Sequence, residues 1–356
     1  MSEPILMKGN EAVAEAAIAA GCRYFFGYPI TPQSEVLEQL ARRLPEVGGA
    51  YVQAESEVSA INMVFGAASA GARVMTASSS PGISLMQEGI SYIASAQLPA
   101  VLVNIMRGAP GLGGIHPSQA DYFQSVKGGG HGDYRLVVLA PSSVQELIDH
   151  TVLAFELAEK YRTPVMVFGD AMMGQMMEPV VLPDTEPYPV HRPWATTGMK
   201  GGRGPNIVHT LYLPADKLEQ HCQRLFAKYA EIERNEQRSV QYLTEDADIV
   251  VVAFGIMSRV ARAAVEMARE HGIRAGLFRP VTLWPFPAAA LREAASQARL
   301  VMAAEISMGQ MVEDVRLAIQ GRVPVTLFNR IGLVPNPDEI FERIRKEARE
   351  VQLVNG

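Results

Sequence analysis

Hydrophobic positions in the first half of the chain form short continuous runs separated by longer stretches with helical spacing. Cys22–Gly27, Ala50–Gln53, Arg73–Ala77, Ala100–Met106, Leu136–Leu139 and Val165–Gly169 read as strands. Residues 11–20, Ser56–Ala70, Gly82–Ala96 and 142–160 read as helices. Val36, Leu37, Leu40 and Leu44 recur at the period of a further helix that starts near Thr31-Pro32. Strands that are apolar throughout and alternate with helices indicate a parallel sheet covered on both faces. In such sheets ligands sit in the crevice beyond the carboxyl ends of the strands. That rule directs attention to Tyr28–Thr31, Glu55–Glu57, Ser78–Gly82 and Arg107–Gly114.

Residues 179–245 break the pattern. They hold proline-rich stretches, a glycine-rich turn at Gly201–Pro205 and a charged amphipathic stretch from about 215 to 240. This stretch reads as a long helix, either solvated or docking a partner. A second series follows, with strands at Ile249–Phe254, Ala275–Arg279, Leu300–Glu305 and Pro324–Asn329. Its helices are expected at Ser258–Gly272, Pro287–Ala298 and Met311–Gly321. The division expected is a first α/β domain over 1–180, a linker with one long helix over 181–245, and a smaller doubly wound domain over 246–356.

Composition adds limits. Of 356 residues, 48% are hydrophobic and 20% charged, enough apolar material for a sizeable core. A net charge of −6 argues against nucleic acid or an anionic membrane surface as partner. The N-terminal residues lack the basic and apolar regions of a secretory signal, and no unbroken apolar run is long enough for a membrane helix. Cys22 and Cys222, 200 positions apart, are too few for a zinc site or an iron–sulfur cluster, and read as thiols in a reducing cytoplasm. No metal ligands are expected in this chain.

Familiar nucleotide motifs are missing. There is no P-loop, and the glycines of Gly108–Gly114 have the wrong spacing for a dinucleotide fingerprint. Gly169-Asp170-Ala171 is similar to the start of the diphosphate-binding motif of thiamine enzymes. That motif needs a pair of asparagines some 25–30 residues on, and the stretch from Val190 to Thr197 has none. Asp170 reads as a strand-end cap.

Three blocks together carry a resemblance: Tyr28-Pro29-Ile30-Thr31-Pro32, Glu55-Ser56-Glu57-Val58, and the run from Arg279 to Pro287. They resemble the alpha subunit of 2-oxoacid:ferredoxin oxidoreductases. A fourth, from Pro110 to Gln124 and on through Lys127–Asp133, is similar to that subunit in 2-ketoisovalerate-type enzymes. The likeness runs from Met7 to Gly332. It implies a thiamine-diphosphate-binding domain of the pyrimidine type, followed by a smaller transketolase C-terminal-like α/β domain.

The resemblance also implies a division of labour. This chain holds the pyrimidine end of thiamine diphosphate, and a beta subunit supplies the diphosphate-binding domain and its Mg2+. Iron–sulfur clusters sit in the beta chain and a ferredoxin-like chain, and a gamma subunit is expected. The reaction implied is oxidative decarboxylation of a 2-oxoacid with coenzyme A to acyl-CoA and CO2, with ferredoxin reduced. A branched-chain 2-oxoacid is the substrate expected, with 2-oxoglutarate, pyruvate and aryl-2-oxoacids as alternatives. A nonoxidative thiamine enzyme component and a noncatalytic scaffold subunit remain open.

By the same resemblance Glu57 is the activating carboxylate, bonded to the pyrimidine so that the thiazolium C2–H can be lost. On residue type alone, a glutamate opening a helix is a solvated, dipole-favoured residue. Arg107 is the implied clamp for the substrate carboxylate, since a guanidinium binds a carboxylate in bidentate fashion; otherwise it is a surface ion-pair residue. Thr31 is the implied substrate contact or a helix N-cap. Tyr28, Pro29 and Ile30 would line the cofactor. Ser80 and Gly82 belong to a small-residue loop that admits a cofactor or forms a plain tight turn. His131 stands evenly between a ligand contact and a structural role, and His116 is weaker. The methionines of 172–177 read as core or interface filling.

Overall fold

A computed structural model of the chain describes residues 3–184, 192–199 and 202–354. Val190, His191 and Gly201, with part of the proline-rich stretch, lie outside the described residues. The chain begins with β1 (Ile5–Lys8), α1 (Gly9–Ala19), β2 (Tyr24–Gly27), α2 (Ser34–Glu46), β3 (Ala50–Gln53) and α3 (Glu57–Ser69). It continues through β4 (Val74–Ser78), α4 (Ser80–Ser95), β5 (Ala100–Met106), α5 (Tyr122–Val126), β6 (Val137–Leu139) and α6 (Val144–Tyr161). Then come β7 (Pro164–Asp170), α7 (Ala171–Gln175), β8 (Met177–Val180), α8 (Ala215–Asn235) and β9 (Ser239–Tyr242). The last part holds β10 (Ile249–Val252), α9 (Gly255–Glu270), β11 (Ala275–Pro280), β12 (Thr282–Trp284) and α10 (Ala288–Ala294). It closes with β13 (Leu300–Glu305), α11 (Met311–Ile319), β14 (Val325–Asn329) and α12 (Pro337–Val354).

The first sheet runs in the order β12-β6-β7-β5-β4-β2-β3 and is parallel except for β12. Its centre is β5 beside β7, and every residue of both strands is buried. Burial on both pleat faces explains why these strands are continuous apolar runs. Asn104 is the one polar residue in β5, and it is used at the site below. Ser56 caps α3 and Ser143 caps α6 through their hydroxyls, each accepting from the amide three residues on.

The second sheet has the order β14-β13-β10-β11-β9, parallel except for β9. The two sheets are stitched together by the chain itself. β9 follows α8 and pairs with β11, while β12, two residues after β11, crosses to the edge of the first sheet. Arg279 at the end of β11 adds a bidentate ion pair to Glu146 of α6, with both contacts at 2.7 Å. Glu305 at the end of β13 is fully buried and caps α11, accepting from the amides of Gln310, Met311 and Val312 at 2.9–3.1 Å.

Several local expectations change. The stretch between the two series contains strand β9 as well as the long helix. That helix is half-docked on its own chain: His221, Leu225, Tyr229 and Ile232 are buried, and Tyr229 meets Trp284 edge-on at 5.8 Å. Both cysteines are free thiols, Cys22 buried and Cys222 partly so. Asp170 accepts from the amides of Met172 and Met173 at 3.0 and 3.1 Å, the cap expected of it. Met173 is core, whereas Met172 and Met177 are exposed.

Candidate cofactor and substrate site

Strands β5, β4, β2 and β3 are consecutive neighbours, and their carboxyl ends point the same way. They deliver Arg107–Gly114, Ser78–Gly82, Tyr28–Thr31 and Glu55–Glu57 to one edge of the first sheet. The four segments singled out by sequence therefore converge.

The cap at Ser56 sets the position of Glu57. Ser56 is extended, its hydroxyl accepts from Ser59 N at 3.2 Å, and Glu57 becomes the first helical residue. Glu57 is only 4% exposed, which rules out the solvated alternative. Its neighbour across the crevice is Gly82, in the first turn of α4. A β-carbon there would lie 2.5 Å from Glu57 Oε1 and 2.0 Å from Ser78 Oγ. Seven residues on, Gly89 meets Ile61 in the same way, with Cγ2 2.5 Å from the would-be β-carbon. Two glycines on one face of α4 thus let it close on α3 beside the carboxylate. Glu55 behaves differently. It is exposed and hydrogen-bonded by the Ser59 hydroxyl, which holds its carboxyl below the usual range.

Arg107 is 7% exposed, not a surface residue. Its Nη1 donates to Thr31 O at 2.8 Å and its Nη2 to Leu112 O at 3.1 Å, while Nε is buried with no partner. Both partners are neutral carbonyls. Among the described residues no carboxylate lies within ion-pairing distance of Arg107, in contrast to Arg279. A buried guanidinium without a counter-ion is unfavourable unless an anion arrives.

Thr31 is exposed and does not cap α2; Gln33 holds that position, without a side-chain bond. What Thr31 contributes is its carbonyl to Arg107, before a cis peptide to Pro32. Tyr28 and Pro29 are exposed on the crevice rim and Ile30 is half-buried. Ser80 is buried and its hydroxyl accepts from Arg107 N at 3.1 Å. His131 is exposed and packs edge-on against Tyr92 at 6.0 Å. Tyr92 lies ten residues past Gly82 on α4, about 15 Å along the axis. The fold therefore keeps His131 away from Glu57, while His116 is exposed and accepts from Gly108 N at 2.9 Å through its main-chain carbonyl.

Two site residues went unread in the sequence. Asp121 is 8% exposed, and its Oδ2 accepts from Ser80 Oγ at 2.6 Å and Asn104 Nδ2 at 2.9 Å. Burial pushes its carboxyl up, partly offset by those two hydrogen bonds. Asn104 Oδ1 in turn accepts from Ser80 N at 3.2 Å. The signals were present: one polar residue in an apolar strand, and an acid inside the Pro110–Gln124 block.

Residues 15–237 match the family model described as pyruvate flavodoxin/ferredoxin oxidoreductase, thiamine diphosphate-binding. The chain belongs to the 2-oxoacid:ferredoxin oxidoreductase family. Residues 247–340 match pyruvate:ferredoxin oxidoreductase core domain II. Ketoisovalerate oxidoreductase subunit VorB of Methanothermobacter thermautotrophicus is 55% identical over 348 residues, 96% of this chain and 97% of that one. 2-Oxoglutarate synthase subunit KorA of the same organism is 39% identical over 388 residues, 98% and 100% of the two chains. A solved 2-oxoglutarate:ferredoxin oxidoreductase from Magnetococcus marinus, with 2-oxoglutarate, coenzyme A and succinyl-CoA bound, superposes with a TM-score of 0.86 at 27% identity. That match covers 98% of this chain and 66% of the other. A split-gene transketolase, 15% identical with a TM-score of 0.60 over 96% of this chain and 97% of its own, shares the fold.

The expected family and fold class hold. Family members work as subunits, so this oxidoreductase chain is one part of a larger enzyme. Among the described residues no group of three or more His, Cys, Asp or Glu side chains could hold a metal ion, and no helix is long and apolar enough to cross a membrane.

Proposed function

We propose that this chain is the pyrimidine-holding half of a branched-chain 2-oxoacid:ferredoxin oxidoreductase, with Glu57 as its activating carboxylate. The observation that carries the reading is the buried Glu57 carboxylate packed on the side-chain-free Gly82, at the same sheet edge as a buried Arg107 that has no acidic partner among the described residues. The residues present suit one end of thiamine diphosphate. Gly82 lets the backbone of α4 pack directly against the carboxyl group, and the buried Ser78 and Ser79 hydroxyls have no partner among the described residues.

When bound, thiamine diphosphate supplies a carbon nucleophile for addition to a 2-oxo group. Glu57 would hold the pyrimidine ring nitrogen in a hydrogen bond and keep a proton in play there. Arg107 would receive the substrate carboxylate through its unused donors, with Thr31 alongside. Tyr28, Pro29 and Ile30 would border the ring. The balanced reaction turns a 2-oxoacid anion and coenzyme A into acyl-CoA, CO2 and a proton, with two electrons passing to ferredoxin.

Substrate and partners follow from weaker support. Relatives named for ketoisovalerate share 53–55% identity with this chain, against 39% for those named for 2-oxoglutarate in the same genus. The crevice rim exposes Tyr28, Val52, Val58, Leu85, Leu112 and Ile115. Exposed apolar surface around a half-built site suits a second chain. We assign to that beta subunit the diphosphate end and Mg2+, to it and a ferredoxin-like chain the iron–sulfur clusters, and to the assembly a gamma subunit besides. Two free thiols suit a reducing cytoplasm.

The test uses the assembled complex. Glu57→Gln should lower 2-oxoacid- and CoA-dependent viologen reduction by about 10²-fold or more with the complex intact. Full activity in Glu57→Gln would sink the assignment. A 2-oxoacid panel on the same complex should favour 2-ketoisovalerate over 2-oxoglutarate in kcat/KM; the reverse order would overturn the substrate reading.

A further inference from the structure

Asp121 belongs to none of the four strand-end segments, yet it anchors the one that carries Arg107. A serine hydroxyl has a single proton to give. The 2.6 Å contact to Asp121 Oδ2 takes the Ser80 proton, and this leaves a lone pair for the Arg107 amide at 3.1 Å. Asp121 also orients Asn104, whose carbonyl oxygen receives the Ser80 amide. Ser80 is therefore fixed at both its hydroxyl and its main chain. The far end of Arg107 is held less firmly, because one of its two carbonyl partners belongs to Leu112, 83% exposed in a glycine-rich loop.

The segment bearing Asp121 is itself bolted to the second sheet's domain. Gln119 N donates to Ile306 O at 2.8 Å, Gln119 Oε1 accepts from Ile306 N at 2.9 Å, and Gln119 Nε2 donates to Phe254 O at 2.9 Å. On the other side Gln310 bonds Ala120 O at 2.7 Å and Phe123 N at 2.8 Å, and Tyr122 OH donates to Asp314 at 2.7 Å. Every one of these contacts is buried or half-buried, so residues 119–123 have little freedom to drift.

We propose that Asp121 is a positioning residue for the 2-oxoacid site. It holds Ser80, and through Ser80 the main chain of Arg107, so that the guanidinium meets the substrate carboxylate in one orientation. The second domain thereby takes part in substrate binding without lining the crevice. This rests on the reading of Arg107 as the carboxylate clamp. Without Asp121 the Ser80 hydroxyl proton can turn to Arg107 O, now 3.3 Å away, and no fixed acceptor then aims the Ser80 oxygen at the buried Arg107 amide.

The experiment compares Asp121→Ala, Ser80→Ala, Arg107→Lys and the double variant Asp121→Ala/Arg107→Lys in the assembled holoenzyme. Asp121→Ala should raise KM for the 2-oxoacid on the order of tenfold, since small misplacements of a clamp are costly. Hydrogen exchange at the thiazolium carbon, measured without substrate, should not change. Ser80→Ala should raise KM in the same direction, and it carries the test if Asp121→Ala does not assemble. In the Arg107→Lys background Asp121→Ala should add nothing, because the two act as a unit. An additive rise, or an equal loss in thiazolium exchange, would overturn the proposal. A raised KM in Arg107→Lys with unchanged KM in Asp121→Ala and Ser80→Ala would overturn it alone. Unchanged KM in Arg107→Lys would remove the clamp and the positioning role together.

Discussion

Gly82 faces Glu57 so closely that a β-carbon on it would fall 2.5 Å from the carboxylate Oε1. The same atom would lie 2.0 Å from Ser78 Oγ. Both obstacles are side-chain atoms, so the helix can stay while they move. Gly82→Ala is therefore expected to leave the fold and assembly intact but displace Glu57. A shift of about 1 Å in a catalytic group costs about 10²-fold in rate. Thiamine-dependent activity and thiazolium exchange should fall together in Gly82→Ala, and a variant with wild-type exchange would show that Glu57 is not the activating group.

His131 gives the converse expectation. It packs on Tyr92, ten residues along α4 from Gly82, a separation of about 15 Å. His131→Ala should leave thiazolium exchange at the wild-type rate. A drop there like that of Glu57→Gln would mean that the glycine-rich 127–133 loop reaches the cofactor by a rearrangement.

How much of this was legible in the sequence follows from where each element buries its side chains. β5, β10 and β13 are buried at every position, so each is apolar but for Asn104 and Glu305 and was found within a residue or two. β1, β8 and β9 are four-residue antiparallel strands with half-exposed, mixed residues, and no two-fold alternation marks them. β12 is three residues long and joins a sheet built almost entirely from the other end of the chain, which no local pattern encodes. α12 was missed for no such reason, since Ile340, Phe341 and Ile344 form a buried helical stripe after Pro337. The crevice positions of Glu57 and Arg107 were legible because each follows its own strand, whereas the roles proposed for them came from the resemblance alone. Asp121 was not, because its partners lie 17 and 41 residues away.

The Arg279–Glu146 pair yields a stability prediction. Arg279 is 9% exposed and Glu146 27% at the side chain, and their contact is bidentate across the two sheets. Breaking a fully buried pair costs 3–5 kcal/mol; with Glu146 partly wet, about 2 kcal/mol is expected for Arg279→Ala. Burial pushes the Glu146 carboxyl up, but the Arg279 hydrogen bonds and charge, with the Ser142 amide, hold it below the ordinary value. A lowered carboxyl pKa contributes stability above the unfolded value and loses it as pH falls through the folded one. The melting gap between wild type and Arg279→Ala should be widest near neutral pH and close in acid. A gap independent of pH would mean that packing, not charge, joins the sheets here.

Asp170 predicts the opposite sign. It is 1% exposed, and burial raises its carboxyl from the ordinary 3.8 to about 6 despite the amides of Met173, Met172 and Ile256. A raised folded-state value means that the native state binds the proton more tightly than the unfolded chain. The associated stability is present in full below the unfolded value and is lost as pH rises through about 6. Two units correspond to on the order of 3 kcal/mol. Asn at this position keeps an oxygen for the Met172 and Met173 amides, bonded at 3.0 and 3.1 Å, and carries no charge. Asp170→Asn should thus match wild type near the acid end and melt progressively above it as pH is raised to neutrality. Melting curves of the full chain across that range decide the matter. A constant difference between the two proteins would mean that folding leaves the Asp170 carboxyl at its ordinary value, in contact with water and not held up by burial.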